Sequence, residues 1–334
     1  MTNTTGPKFV TAEVLMKRPY EPEKYIVDGM LRLGRRRPSL LCGKPESGKS
    51  TLALQLATAT TKGAAFLGRP TLRSEVFYWS SEETQADLAD SLRQHGYDAT
   101  TDARLYFNLT CDKPMDELRF ALDSFPEIRL VIIETLDDFL NVKDLKENSD
   151  TRRKFEEFDQ KIMRDHTHRA SFLLLHHLKK RETDSAGDAI LGATVLRGRT
   201  DSKLYLKQVS DEDPRRLFHA TVRRGVGIPQ TLLQYDPRTG KSVLGNTLAQ
   251  EQKQSAVNTD EKVLAEITEF FTNNPDTTFK ADCLPTLNCN SDRARRIFNA
   301  AARKGQFQKQ GSGKRGDPFT YRVVGLPTEE KRAA

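Results

Sequence analysis

The sequence predicts an α/β protein, with a mostly parallel central sheet flanked by helices and a small α+β domain after it. Three observations predict it. Short apolar runs alternate with longer amphipathic stretches from residue 38 to residue 222, the pattern of strands joined by crossover helices. One run, SLLC at 39–42, passes directly through GKPESGKST into the apolar-faced stretch STLALQLATATT. Past residue 258 the pattern changes to two amphipathic helices and a basic hairpin.

A chain of 334 residues is long enough for one large core and a smaller satellite. The expected division is a polar segment 1–24, a core domain 25–240, a low-complexity polar linker 241–258, a small domain 259–326 and a tail 327–334. With 30% charged residues and a formal net charge of +7, the chain suits a soluble protein with polyanionic partners. No window approaches the length of a membrane span, and MTNTTGPKFV lacks the apolar core of a secretory signal. A cytoplasmic protein with no membrane partner is therefore expected. Cys42, Cys111, Cys283 and Cys289 are too sparse and too widely spaced for a zinc knuckle, so reduced thiols are expected.

Taken in order, RLGRRR at 32–37 reads either as a solvated charge run or as a contact for phosphates or a neighbouring subunit. The strands are SLLC (39–42), EVFYWS (75–80), LYFNL (105–109), LVIIET (130–135), SFLLLHH (171–177), KLYLKQV (203–209) and LFHATV (217–222). After the first strand, Leu52, Leu54, Leu56 and Ala57 give a helix a face to bury against the sheet. The polar stretch 140–158 is expected to begin as a loop, and 182–190 reads as a mobile insertion. In the small domain, 260–276 carries Val263, Leu264, Ile267, Phe270 and Phe271 on one helical face. The second helix, 289–305, is capped by Ser291 or Asn290 and exits at Gly305, and residues 306–324 alternate as a two-stranded hairpin.

Gly43 and Gly48 bracket four residues before Lys49 and Ser50, the G-x-x-x-x-G-K-S spacing of a phosphate-binding loop. Glycines let backbone N–H groups turn inward, and the following helix offers its unpaired N–H groups to the same anion. Residues Gly43, Lys44, Pro45, Glu46, Ser47, Gly48, Lys49, Ser50 and Thr51 are thus the candidate nucleotide cradle. Lys49 would reach the outer phosphates, and Ser50 would ligate Mg²⁺. An acidic strand end should assist the metal. Glu134 has that position, one methylene longer than the usual aspartate, with Asp137 and Asp138 as alternatives. Glu82, at the end of EVFYWS, is the candidate general base; otherwise Glu82 and Glu83 are acids capping the next helix. His176 and His177 end another strand, either sensing the outer phosphate or filling a structural role.

With these segments in order, the chain resembles the RecA-like P-loop ATPase domain of hexameric replicative helicases, especially those of plasmids, phages and mobile elements. GKPESGKST, the strand into SSEE, LVIIETL, the strand ending in His176 and His177, and GATVLRGRTDSKLYL (192–206) carry the resemblance over residues 25–235. It implies ATP and Mg²⁺ held at a subunit boundary. Lys49, Glu82, Glu134, His177 and Arg223 would be the catalytic set, with Ser50 and Glu134 at the metal. Arg223, with Arg224 as alternative, would be a finger offered to the next subunit; Thr221 stands where many relatives carry lysine.

The resemblance also implies single-stranded DNA in a ring channel, touched by Arg197, Arg199 and Lys203, unless these cations merely solubilise a loop or pair with acids. Helix, helix and basic hairpin is the order of a winged helix. From Arg293 to Arg322 there are nine Lys or Arg against one acid, so Arg293, Arg296, Lys314 and Arg315 are candidate duplex contacts; protein docking is the alternative. The function expected is an ATP-dependent DNA helicase or translocase in mobile-element replication, a homo-oligomer of hexameric type, with a replication initiator or primase as partner. The alternatives are a DNA-binding ATPase that loads or regulates replication or recombination factors, and an ATP-dependent structural or transcriptional DNA-binding protein.

Overall fold

The computed structural model describes residues 10–17, 19, 22–34, 37–109, 112–142, 148–166, 169–178, 199–210, 212–223, 225–279 and 289–324. They form two units, Met1–Thr247 and Leu248–Ala334. In the first, an antiparallel pair, β1 (Tyr25–Val27) and β2 (Leu31–Arg32), follows the short helix α1 (Ala12–Met16). Nine further strands make one sheet: β3 (Ser39–Gly43), β4 (Glu75–Ser80), β5 (Leu105–Asn108), β6 (Ile128–Glu134), β7 (Ser171–His177), β8 (Ser202–Gln208), β9 (Arg216–Val222), β10 (Ile228–Asp236) and β11 (Lys241–Thr247). Their spatial order is β11-β10-β9-β8-β3-β7-β6-β4-β5.

The sheet is mixed. Every pairing from β8 through β3, β7, β6 and β4 to β5 is parallel, while β8, β9, β10 and β11 pair antiparallel. The parallel half is covered on both faces, which explains its near-continuous apolar strands. Alternate residues serve separate cores: Leu41, Tyr78 and Ile132 pack with Leu52 and Leu56 of α2 (Lys49–Lys62). Leu40, Trp79 and Ile133 pack with Leu118 and Leu122 of α4 (Pro114–Ser124), Phe139 of α5 (Leu136–Phe139) and Phe158 of α6 (Asn148–Phe158). The helix α3 (Gln85–Gln94) follows β4, and α6 runs through a π-helical turn, Asp159–Met163, into α7 (Arg164–His166).

Several expectations are corrected here. The stretch 241–258 is no irregular linker: Lys241–Thr247 is the edge strand β11, and α8 (Leu248–Asn273) begins where the linker was expected to continue. Residues 248–258 are polar but rich in Ala, Gln, Glu and Lys, strong helix formers whose lack of an apolar stripe hid the helix. The Gln55 amide donates to the Ser242 carbonyl at 2.9 Å and accepts its N–H at 2.8 Å, tying β11 to α2. Within RLGRRR, Arg32 is neither solvated nor free for a ligand; it is buried and paired with Asp201 at 2.9 Å. The first 24 residues contain α1, whose Val14, Leu15 and Met16 are exposed. Among the described residues no helix is long and apolar enough to cross a membrane.

The second unit packs α8, α9 (Ser291–Arg303) and the antiparallel strands β12 (Phe307–Gln310) and β13 (Thr320–Val323). Val263, Ile267 and Phe271 of α8, and Ala294, Ile297, Phe298 and Ala301 of α9, recur at helical spacing and are buried. The Asn290 side chain accepts the Arg293 N–H at 2.8 Å and so is the cap of α9. Phe271 lies 5.5 Å from both Phe298 and Phe307, at the hub of the aromatic cluster. Phe271→Ala should destabilise this unit by about 3–5 kcal/mol. Hydrogen–deuterium exchange on the full chain should then show lost protection in α8, α9 and the hairpin, with the nine-stranded sheet unchanged.

Candidate nucleotide site

The site forms where the parallel strands end. β3 lies between β7 and β8, and its chain leaves the sheet at Gly43, in register with His177 on one side and Leu206 on the other. Such a point, at the carboxyl ends of parallel strands, is where open α/β sheets leave a crevice. A Cβ on Gly43 would meet Ser47 Oγ and sit 2.6 Å from the Leu206 carbonyl oxygen, so only glycine fits. Gly48 turns with φ of 91° and α2 begins at Lys49, so the helix N-terminus points into the turn.

Lys49 is buried and donates from Nζ to the Lys44 carbonyl at 2.9 Å, with His177 Nδ1 at 3.1 Å. Burial pulls its ammonium below the ordinary lysine value, opposed by the Glu134 and Glu82 carboxylates. His177 Nε2 lies 3.3 Å from Glu82 Oε1. A lysine has only protons to offer Nδ1 and a carboxylate only lone pairs to offer Nε2, so both contacts hold when the imidazole proton is on Nε2. Lys49, His177 and Glu82 thus form one chain of contacts.

A second chain starts at the next residue. Ser50 Oγ donates to Glu134 Oε1, and Tyr78 Oη donates to Glu134 Oε2 at 2.5 Å. Glu134 is only 1% exposed. Burial pushes its carboxyl above the usual range, against the hydrogen bonds from Ser50 and Tyr78. Tyr78 is raised well above the ordinary phenol value by burial and by the Glu134 carboxylate, which keeps it a donor. The alternatives considered for Glu134 are occupied elsewhere: Asp137 lies 3.1 Å from His176 Nδ1, and Asp138 accepts from Ser81 Oγ at 2.7 Å and Thr135 Oγ1 at 2.9 Å. His176 therefore turns away from Lys49. Thr84, not either glutamate, is the N-cap of α3, accepting the Asp87 N–H at 3.2 Å. Ser80 Oγ accepts the N–H groups of Glu82 and Glu83, which turns the chain over the site.

Between these chains is a cavity of about 570 Å³ lined by Pro45, Glu46, Gly48, Lys49, Ser50, Thr51, Glu82, Glu83 and His177. A model of the AAA domain family (AAA_25) matches residues 3–183, which contain every one of these residues. The chain belongs to the AAA domain family. No curated protein matches the sequence. Membership implies ATP binding in this AAA domain.

Other candidates lie elsewhere. β9 runs antiparallel to β8, pairing Gln208 with Arg216 and Ser202 with Val222, so Arg223 is at the rim opposite the cavity, exposed and roughly 20 Å of strand away. Arg216 is the arginine on the cavity side, donating from Nε to the Ser47 carbonyl at 3.2 Å. Lys203, in register with Leu40, shares the far rim. Arg199 pairs with Glu156 at 2.8 Å, and Arg293 and Arg296 both reach Asp260, at 2.6 and 3.5 Å. These three are therefore engaged with acids. Lys314 and Arg315 are exposed in the turn between β12 and β13. Arg197, Arg224, Cys111, Cys283 and the insertion 182–190 lie outside the described residues.

Sequence reading missed Tyr78 and Arg216. A lone hydroxyl within the apolar run EVFYWS was the available signal for Tyr78, because a buried phenol needs a partner. Nothing local singled out Arg216 from its neighbours. Gly43→Ala should abolish binding of a fluorescent ADP analogue and lower the unfolding free energy by about 1–3 kcal/mol, measured by titration and chemical denaturation.

Proposed function

We propose that the protein is an ATP-hydrolysing ring motor that moves along or unwinds DNA during replication of a mobile element. The observation that carries the ATPase part is the convergence of Lys49, the Ser50–Glu134 pair and the His177–Glu82 pair on one cavity at the strand ends. Loop N–H groups and Lys49 would hold the phosphates, and Glu82 would orient a water and accept its proton as the water attacks the outer phosphorus in line, the bond to the β–γ bridging oxygen breaking and ADP leaving with its electron pair. His177, touching both Lys49 and Glu82, would couple phosphate occupancy to the position of the base.

Ser50 and Glu134 suit a nucleotide-borne Mg²⁺, being hard oxygen donors joined to one another beside the cradle. Among the described residues no group of three His, Cys, Asp or Glu could hold a metal ion by itself, so the nucleotide would supply the remaining oxygens. When bound, Mg²⁺ would neutralise phosphate charge.

Ring assembly is supported by Arg223. It is exposed on the rim away from its own chain's cavity, so as a finger it would serve only a neighbour's site. The second unit would act as a winged helix on duplex DNA, with Lys314 and Arg315 as its free wing cations. A second reading, an ATPase that loads or regulates another factor on DNA without sustained unwinding, is favoured by the pairing of Arg199, Arg293 and Arg296 with acids.

Steady-state hydrolysis with and without single-stranded DNA, blanked with Lys49→Ala, tests the motor. Several-fold stimulation together with strand displacement is the expected result. Turnover indifferent to DNA would favour the second reading, and turnover equal to the blank would remove the ATPase. Arg223→Ala should lose about a thousand-fold in turnover with nucleotide affinity intact. Mixing it with Lys49→Ala should restore part of the activity, and no restoration would exclude a shared site.

A further inference from the structure

We propose that Tyr78 is the positioning residue that allows glutamate, rather than the shorter aspartate, to serve at the end of β6. The inference rests on the nucleotide site proposed above. Tyr78 is fully buried on β4, two residues before Ser80, whose partner across the β4–β6 ladder is Glu134. Its hydroxyl holds Glu134 Oε2 at 2.5 Å while Ser50, on α2, holds Oε1. The carboxylate is therefore gripped at both oxygens by two different elements, and only the Ser50 side faces the cradle.

The longer side chain makes this grip necessary. Glutamate has one more rotatable bond than aspartate, and an unheld carboxylate at this strand end could swing toward Lys49 instead of staying with Ser50. Tyr78 removes that freedom. An aspartate at 134 would draw the carboxylate back by about 1.5 Å, one carbon–carbon bond. It could not then keep contact with both a hydroxyl on a packed strand and another on a packed helix. Tyr78, Glu134 and Ser50 are thus matched in length, and the pair at 78 and 134 substitutes as a unit for a bare aspartate.

The test is the Mg²⁺ concentration that half-saturates binding of a fluorescent ADP analogue to the full chain. Tyr78→Phe should raise that concentration about 10- to 100-fold, as loss of a partner behind a metal ligand does, while binding in EDTA is unchanged. Glu134→Asp should raise it too, and adding Tyr78→Phe to Glu134→Asp should have no further effect. A lowered melting temperature with the wild-type Mg²⁺ requirement would make Tyr78 merely structural and overturn the inference. So would a Glu134→Asp protein that needs no more Mg²⁺ than wild type, an outcome that decides the matter even if Tyr78→Phe fails to fold. Failure of the wild-type chain to bind ADP at any Mg²⁺ concentration would overturn the nucleotide site and this inference together, and is distinguishable because it precedes any substitution.

Discussion

A buried carboxylate holds the centre of this molecule together. Glu134 is the last residue of β6, yet its two oxygens accept from Ser50 at the start of α2 and Tyr78 within β4. A charge-bearing group so little exposed would be costly without partners. Here the partners are hydroxyls fixed by the sheet and by the helix that leaves it, so the cost of burying Glu134 is offset only when all three elements are in register. Loop, helix and strand ends are consequently positioned by the same contact that prepares the site. The Glu134–Thr135 peptide is cis, and Thr135 then caps α5 through the Asp138 N–H.

The two halves of the sheet divide the chemistry between opposite rims. Parallel strands bring their carboxyl ends, and hence Lys49, Glu82, Glu134 and His177, to one crevice. Antiparallel β9 reverses direction, leaving Arg216 beside the cradle and Arg223 at the far rim near Lys203. The cradle therefore lies on one rim of the sheet and the exposed Arg223 on the other. In the second unit, by contrast, charge is partly spent internally: Asp260 takes up Arg293 and Arg296, and Lys309 lies 3.3 Å over the Phe319 ring. Lys314 and Arg315 in the hairpin turn, and Arg295, Arg303 and Lys304 on or just after α9, are exposed.

Much of the fold and of the candidate site is legible in the sequence. The spacing of Gly43, Gly48, Lys49 and Ser50 demands a turn that only glycine can make, and the apolar runs marked β3 to β9 to within two residues at each end. β10 and β11 were missed because they are outer strands, half solvated and interrupted by Pro229 and Gly245, so their stability comes from neighbours and not from their own residues. The start of α8 was missed for a related reason, since helix propensity without an apolar face looks like a linker.

What the sequence by itself determined is the backbone chemistry of the cradle and the succession along the chain of the strands β3 to β9, because turn geometry and strand periodicity are local. Which carboxylate meets Ser50, which histidine faces Lys49 and which arginine reaches the loop were decided only by tertiary structure. Glu134 and Asp137, His176 and His177, and Arg216 and Arg223 are each interchangeable on paper. The pleat sends the adjacent His176 and His177 to opposite faces, the end of β6 leaves Glu134 on the strand and Asp137 on α5, and strand direction sends the two ends of β9 to opposite rims.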